Sequence, residues 1–215
     1  DSGNCRGQSE DMEGLTIKDV EGYDPEDYFG TVVSPVTKGC GSLANTGSGT
    51  LTVNAEVEAS GGRIVIATQD IDINAIIRSV RQIGDQNFRG SLILQPLSVT
   101  TRIDMATAAP TAANTFHLSA AAITNFMSGF NVSEPSAYLV NGSLVSVESN
   151  NGITIGRDDG RHVITLDAFT YNESFTFRSP EPFGNFDVIG QLELLTSPID
   201  GDEPALTFLG WSFAS

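Results

Sequence analysis

Acidic turns are the residues best suited to chemistry in this chain of 215 residues. Asp158 and Asp159 stand side by side, and Asp200 and Asp202 lie two residues apart across a glycine. Carboxylate oxygens grouped in a turn are ligands that Ca²⁺ prefers. We therefore expect surface calcium at these four residues or, as the alternative, two solvated turns. The sequence predicts no other cofactor.

A further acidic segment begins like the calcium loop of an EF-hand. Asp70, Asp72 and Asn74 have the required alternate spacing. The pattern then fails, because Ala75 stands where glycine is required and Arg81 where the bidentate glutamate belongs. Helix capping explains these acidic residues better than a metal does.

Catalytic motifs are missing from the sequence. The two histidines, His117 and His162, are linked by spacing neither to each other nor to a Gly-x-Ser-x-Gly or His-Glu-x-x-His motif. Paired carboxylates such as Asp167 and Glu193 could hydrolyse a glycosidic bond. Acidic residues on strands more often line the solvated face of a sheet, so we predict that the chain is not an enzyme.

Two cysteines and three glycosylation motifs indicate a secreted protein. The cysteines, Cys5 and Cys40, are the only pair in the chain and predict one disulfide, with two free thiols as the alternative. Asn-x-Ser motifs make Asn131, Asn141 and Asn172 candidate N-glycosylation sites. With a first residue that is not Met, these features predict an extracellular or cell-surface glycoprotein released from a signal peptide.

The charge of the chain limits its partners. Lys and Arg number 11 against 27 Asp and Glu, a formal net charge of -16. This charge repels phosphate backbones, so no nucleic acid is expected. No apolar run approaches the ~20 residues of a membrane helix, so no membrane insertion is expected either. Copies of the chain itself, or glycans, remain as partners.

Hydrophobic patterns divide the chain into an acidic N-terminal arm, 1–49, and a body, 50–215. Strict alternation over 51–58 and several later segments predicts strands. Asn-Gly and Asp-Gly dipeptides, such as Asn141-Gly142 and Asp159-Gly160, predict hairpin turns between them. Helical spacing predicts one helix over 73–83, and Ser119 and Gly129 bracket a second over 120–127.

These elements predict an all-β, mainly antiparallel fold, a jelly-roll-like β-sandwich with one or two short helices and the extended arm. A closed barrel is the alternative, and no internal repeat of fixed period is found. Trp211 is predicted to be a core residue, with a sugar-stacking platform as the other interpretation.

The function that fits best is a non-enzymatic, self-assembling structural subunit of an extracellular filament, sheath or coat. Its copies would join through strand exchange or β-edge pairing. A glycan-binding or adhesion module of the cell surface is the alternative, and a carboxylate-based glycoside hydrolase is less favoured.

Overall fold

The computed structural model describes residues 41–44, 50–133, 137–146, 152–196, 204–210 and 212–213. The predicted disulfide between Cys5 and Cys40 lies outside these residues. So do the calcium candidates Asp200 and Asp202, and so does Trp211. The division of the chain after residue 49 stays a prediction.

The described residues form twenty strands and one helix. The strands are β1 (Gly41–Ala44), β2 (Thr50–Val53), β3 (Val57–Ala59), β4 (Arg63–Thr68), β5 (Asp70–Ile73), β6 (Ile77–Ile83), β7 (Gln86–Arg89), β8 (Ser91–Pro96), β9 (Arg102–Met105), β10 (Thr115–Leu118), β11 (Ala137–Val140), β12 (Ser143–Ser146), β13 (Gly152–Gly156), β14 (Val163–Leu166), β15 (Phe169–Tyr171), β16 (Phe175–Ser179), β17 (Asn185–Val188), β18 (Leu192–Leu194), β19 (Leu206–Gly210) and β20 (Ser212–Phe213). The helix, α1 (Ala120–Ser128), follows β10.

Most strands pair with a strand from another turn of the chain, and the paired strands form three faces. Face 1 is a parallel sheet in the order β1-β4-β8-β13-β16-β19. Face 2 contains the pair β2-β5 and the sheet β10-β9-β14-β17-β20, with β10 packed beside β5. Face 3 contains the parallel pairs β3-β6 and β15-β18. The chain therefore winds as a β-solenoid, in which each coil packs on its neighbours.

The pairing corrects the predicted strand directions. The all-β composition with a helix is confirmed, but mainly antiparallel pairing is wrong, because antiparallel pairs in the described residues are confined to the hairpins β6-β7 and β11-β12. A jelly roll is built from antiparallel strands and is not confirmed. The β11-β12 hairpin was predicted, and its Asn141 and Gly142 have φ of 50° and 82°, as a type I′ turn requires.

One of the two predicted helices is wrong. Ile73 and Ile77 are buried on β5 and β6, which are separated by a corner, whereas Ile76 in that corner is exposed. The helix α1 is confirmed together with its cap: the Ser119 hydroxyl accepts a hydrogen bond of 3.2 Å from the backbone N–H of Ala122. The helix packs against β5 and β6.

Aromatic rings fill the interior of the later coils. The ring of Phe177 on β16 stacks on Phe208 of β19 with centroids 5.3 Å apart. Tyr171 meets Phe175 edge to face at 5.0 Å, and Phe126 of α1 lies 6.1 Å from Phe175. These rings connect three coils and the helix in one core.

The hydroxyl of Tyr171 is the polar exception in this core. Tyr171 is fully buried, and among the described residues its hydroxyl has no hydrogen-bond partner. Burial raises the pKa of this hydroxyl, because the phenolate would be poorly solvated there.

We expect Tyr171→Phe to raise the free energy of unfolding by about 1 kcal/mol, because it removes a desolvated polar group and keeps the ring. Urea denaturation measures the change. The reciprocal control is Phe175→Tyr, which adds a hydroxyl to the neighbouring buried ring and should destabilise the protein. A less stable Tyr171→Phe variant would show that the hydroxyl has a partner.

Candidate functional site

The last strands that the structure describes have open edges. Within the described part of the chain, β18 and β19 each pair on one side only, with β15 and β16 respectively. An edge strand presents N–H and C=O groups that are a template for another strand. The last described coil is therefore a candidate site for association.

Apolar residues that align with core residues of the preceding coil are exposed to solvent at this end. Leu166 is buried, but its partner one coil later, Val188, is 47% exposed. Tyr171 is likewise buried, whereas its partner Leu194 is 46% exposed. We call the exposed apolar residues on or just after β17, β18 and β19 the end surface: Val188, Ile189, Leu194, Leu195 and Leu209.

The first coil differs from the last. Leu51 and Val53 on β2 point into the core and are both buried, at 5% exposure. The interior is therefore covered at the β2 end and open at the end surface. Burying exposed apolar side chains stabilises association, so this difference marks the end surface as the better candidate interface.

The two carboxylates suggested for a hydrolase, Asp167 and Glu193, each accept a hydrogen bond from a different partner. The Oδ1 of Asp167 accepts a hydrogen bond of 2.7 Å from the backbone N–H of Ala168. The Oε2 of Glu193 accepts one of 3.0 Å from the hydroxyl of Thr170. Each carboxylate thus has a local structural partner, which favours the interpretation that both belong to the outer surface of the sheet.

Loops that connect face 1 to face 2 form a second surface, which we call the corner stack: residues 97–101, 157–162 and 180–184. The loops are joined by backbone hydrogen bonds from Arg161 N to Val99 O, 2.7 Å, and from Glu181 N to Gly160 O, 3.0 Å. These hydrogen bonds therefore stack the loop of each coil on the loop of the next.

The calcium candidates Asp158 and Asp159 lie in the corner stack. The guanidinium of Arg157 donates to both carboxylate oxygens of Asp159, at 2.6 and 2.9 Å, and to the carbonyl of Leu97 at 3.1 Å. These bonds lower the pKa of Asp159 and raise that of Arg157. A cation at Asp159 would compete with Arg157, and the described residues hold no group of three or more His, Cys, Asp or Glu suited to a metal. Calcium at this turn stays a prediction.

His162 is buried within the same corner. Its Nδ1 donates a hydrogen bond of 2.8 Å to the carbonyl of Thr101, while Nε2 has no partner among the residues described. Burial lowers the pKa of His162, because the imidazolium would lose its hydration, and the positive charge of Arg157 acts in the same direction. The neutral imidazole is therefore the form that fits the fold.

Lowering the pH should destabilise the protein through His162. An unfolded histidine has a pKa of about 6.5, so the unfolded chain takes up a proton before the folded chain does. The folded state keeps its full stability above pH ~6.5. As the pH falls from there toward the folded pKa of His162, the free energy of unfolding decreases by at most about 1.4 kcal/mol per pH unit. His162→Asn should reduce the pH dependence of the free energy of unfolding between pH 7.5 and 5, as measured by urea denaturation. His117→Asn is the control. Equal slopes in all three proteins would contradict this role.

A row of polar residues on neighbouring strands crosses face 2. Their spacing in the sequence did not reveal it. The register places His117 beside Asp104, Asp104 beside Thr165, and Thr165 beside Asp187. Only strand pairing brings these positions together, since Asp104 and Thr165 lie on different coils.

Asp104, one of the two buried members of this row, holds a loop. The carboxylate of Asp104 accepts hydrogen bonds from Arg102 Nε at 3.2 Å and from the backbone N–H of Thr111 at 2.6 Å. The Nε2 of His117 donates to the carbonyl of Thr107 at 2.9 Å. Both side chains fasten the connection between β9 and β10, which favours a structural role over acid–base chemistry.

The three glycosylation motifs differ in access. Asn141 is exposed at the tip of the β11-β12 hairpin, whereas Asn131 is buried. Asn172 is half-buried, and its Oδ1 is shielded from solvent. Asn141 is therefore the best placed of the three for an attached glycan.

Fold and surfaces together give a mostly parallel β protein with one helix, an open apolar end and a stacked polar corner. In the part of the chain described, no helix has the length and apolar character needed to cross a membrane. Comparison with protein-family models, with curated proteins and with solved structures finds no match to this chain.

Proposed function

We propose that the chain is a non-enzymatic structural subunit, exported to the cell surface, whose copies assemble into an extracellular filament, sheath or coat. The observation that carries the proposal is the end surface. Its apolar side chains are exposed to solvent beside the open edges of β18 and β19. One added coil would pair both edges and cover Leu194.

The geometry of face 1 favours a linear assembly. Its strands are all parallel, with β1 at one edge and β19 at the other. A second copy placed in the same orientation would therefore continue the sheet. Contacts of this head-to-tail kind do not pair a surface with itself, and they form open filaments unless the rotation closes a ring.

Charges at the end surface test the proposal. The double variant V188K/L194K places cations where the next coil would stack, and charged edges oppose strand pairing. Ile83→Lys is the matched control, because Ile83 is also 46% exposed but lies on the β6-β7 hairpin.

Sedimentation velocity and negative-stain microscopy should show assemblies for the natural chain and for Ile83→Lys, and folded monomers for V188K/L194K. A natural chain that is monomeric at all concentrations, or a double variant that assembles normally, would overturn the proposal. Deleting residues 1–38 separates the two modes. A folded chain that no longer assembles supports strand exchange, and one that still assembles supports pairing by the first coil.

A further inference from the structure

The turn between β16 and β17 holds an aromatic ring in an unusual position. The backbone N–H of Gly184 donates to the carbonyl of Glu181 at 3.0 Å, which closes a four-residue turn with Pro182 at its second position. Phe183, at the third position, has a φ of 77° and is 84% exposed. These are the features of a type II turn, whose third position normally requires glycine.

This phenylalanine gains little from its own fold. A bulky residue rarely adopts positive φ, and an exposed ring contributes no buried apolar area. Strain at an exposed side chain with few contacts in the fold points to a contact outside the molecule.

Charged residues lie in the same group of loops as Phe183. Arg161 stands two residues before Val163, and Phe183 two residues before Asn185, the partner of Val163, so the two follow one another in adjacent loops of the corner stack. Asp158, Arg161 and Glu181 are all exposed in these loops. The loops that carry the aromatic ring thus also carry exposed hydrogen-bonding groups of both signs.

We propose that the corner stack binds a neutral saccharide, with Phe183 as the platform. The apolar face of a pyranose ring would stack on the phenyl ring, and the carboxylates and guanidinium would bond its hydroxyl groups. A protein partner fits less well, because protein hot spots lie in well-packed, fully desolvated pockets, whereas exposed charged residues occupy the same loops as Phe183. The mixed charges of Asp158, Arg161 and Glu181 favour an uncharged ligand.

Variants at Phe183 separate binding from folding. Phe183→Gly supplies the residue that the turn prefers, so we expect a higher Tm together with at least a tenfold loss of affinity. Phe183→Trp keeps an aromatic platform and should retain binding. Leu144→Ala, which removes an exposed apolar side chain from the β12 hairpin strand, is the control and should bind normally.

The experiment is affinity electrophoresis and array binding of the full chain with neutral glucans, mannans, galactans and xylans. The expected result is retention by at least one of these polysaccharides, which Phe183→Gly weakens and Phe183→Trp preserves. Absence of binding by the natural chain, or equal binding by Phe183→Gly, would overturn the proposal. V188K/L194K should bind equally well per chain, so failure of assembly and failure of saccharide binding are distinguishable.

Discussion

Replacing Glu173 by alanine is expected to lower the free energy of unfolding by about 3–5 kcal/mol. The Oε2 of Glu173 lies 2.6 Å from Nη1 of Arg89, and their side chains are only 5% and 12% exposed. Arg89 also donates to the carbonyl of Phe130 at 3.3 Å. The truncation removes one partner of a nearly buried ion pair, and breaking such a pair is strongly destabilising.

A double variant tests whether charge balance is the cause. Arg89→Met combined with Glu173→Leu removes both charges and should destabilise much less than Glu173→Ala alone, as measured by urea denaturation. The exposed control is Glu56→Ala, which breaks the 2.7 Å contact with Arg78 and should cost less than 1 kcal/mol, as is usual for surface pairs. A double variant as unstable as the single one would show that packing dominates.

Phe177→Ala is expected to lower the free energy of unfolding by about 3–5 kcal/mol. Phe177 is fully buried on face 1 and its ring contacts those of Phe175 and Phe208 on the same and the next coil. Its removal leaves a cavity that rigid neighbouring strands cannot collapse into.

The matched control for Phe177→Ala makes the same change at an exposed position. Phe183→Ala removes a ring that is almost wholly in solvent and should alter stability by no more than about 0.5 kcal/mol. Thermal and urea denaturation of the two variants give the comparison. Similar losses in both would contradict the assignment of Phe177 to the central core.

Local signals in the sequence predicted some elements correctly. Ser119 and Gly129 bracket a short apolar run that contains no corner, and the helix forms there. Asn141-Gly142 predicts a tight hairpin, because both residues readily adopt positive φ. The hairpin turn predicted at the similar dipeptide Asp159-Gly160 is wrong, because Gly160 does not adopt positive φ and the chain there passes from face 1 to face 2.

The same reasoning failed where two strands meet at a corner. The isoleucines at 73 and 77 are both inward on successive strands, and the corner between them imitates the spacing of one helical turn. Strand direction could not be obtained from spacing either, since alternation is the same in parallel and antiparallel sheets.

The candidate sites depend on register, which is not a local property. Ile153 pairs with Phe175, 22 residues later, but Leu92 pairs with Ile153, 61 residues later. These unequal coils explain why no fixed repeat was found. They also explain why neither the end surface nor the row from His117 to Asp187 could be recognised before the strands were paired.

The long connection between β8 and β13 has a consequence for how this protein can change. It contains β10, α1 and the β11-β12 hairpin, yet β8 and β13 remain direct neighbours in face 1. Residues added at a corner therefore need not shift the ladder between the strands on either side, whether they pack into the core, as α1 does, or form a hairpin. Whole hairpins could be gained, lost or exchanged at such points over evolution, and engineered epitopes could be inserted at Asn141-Gly142, while the packed interior kept its register.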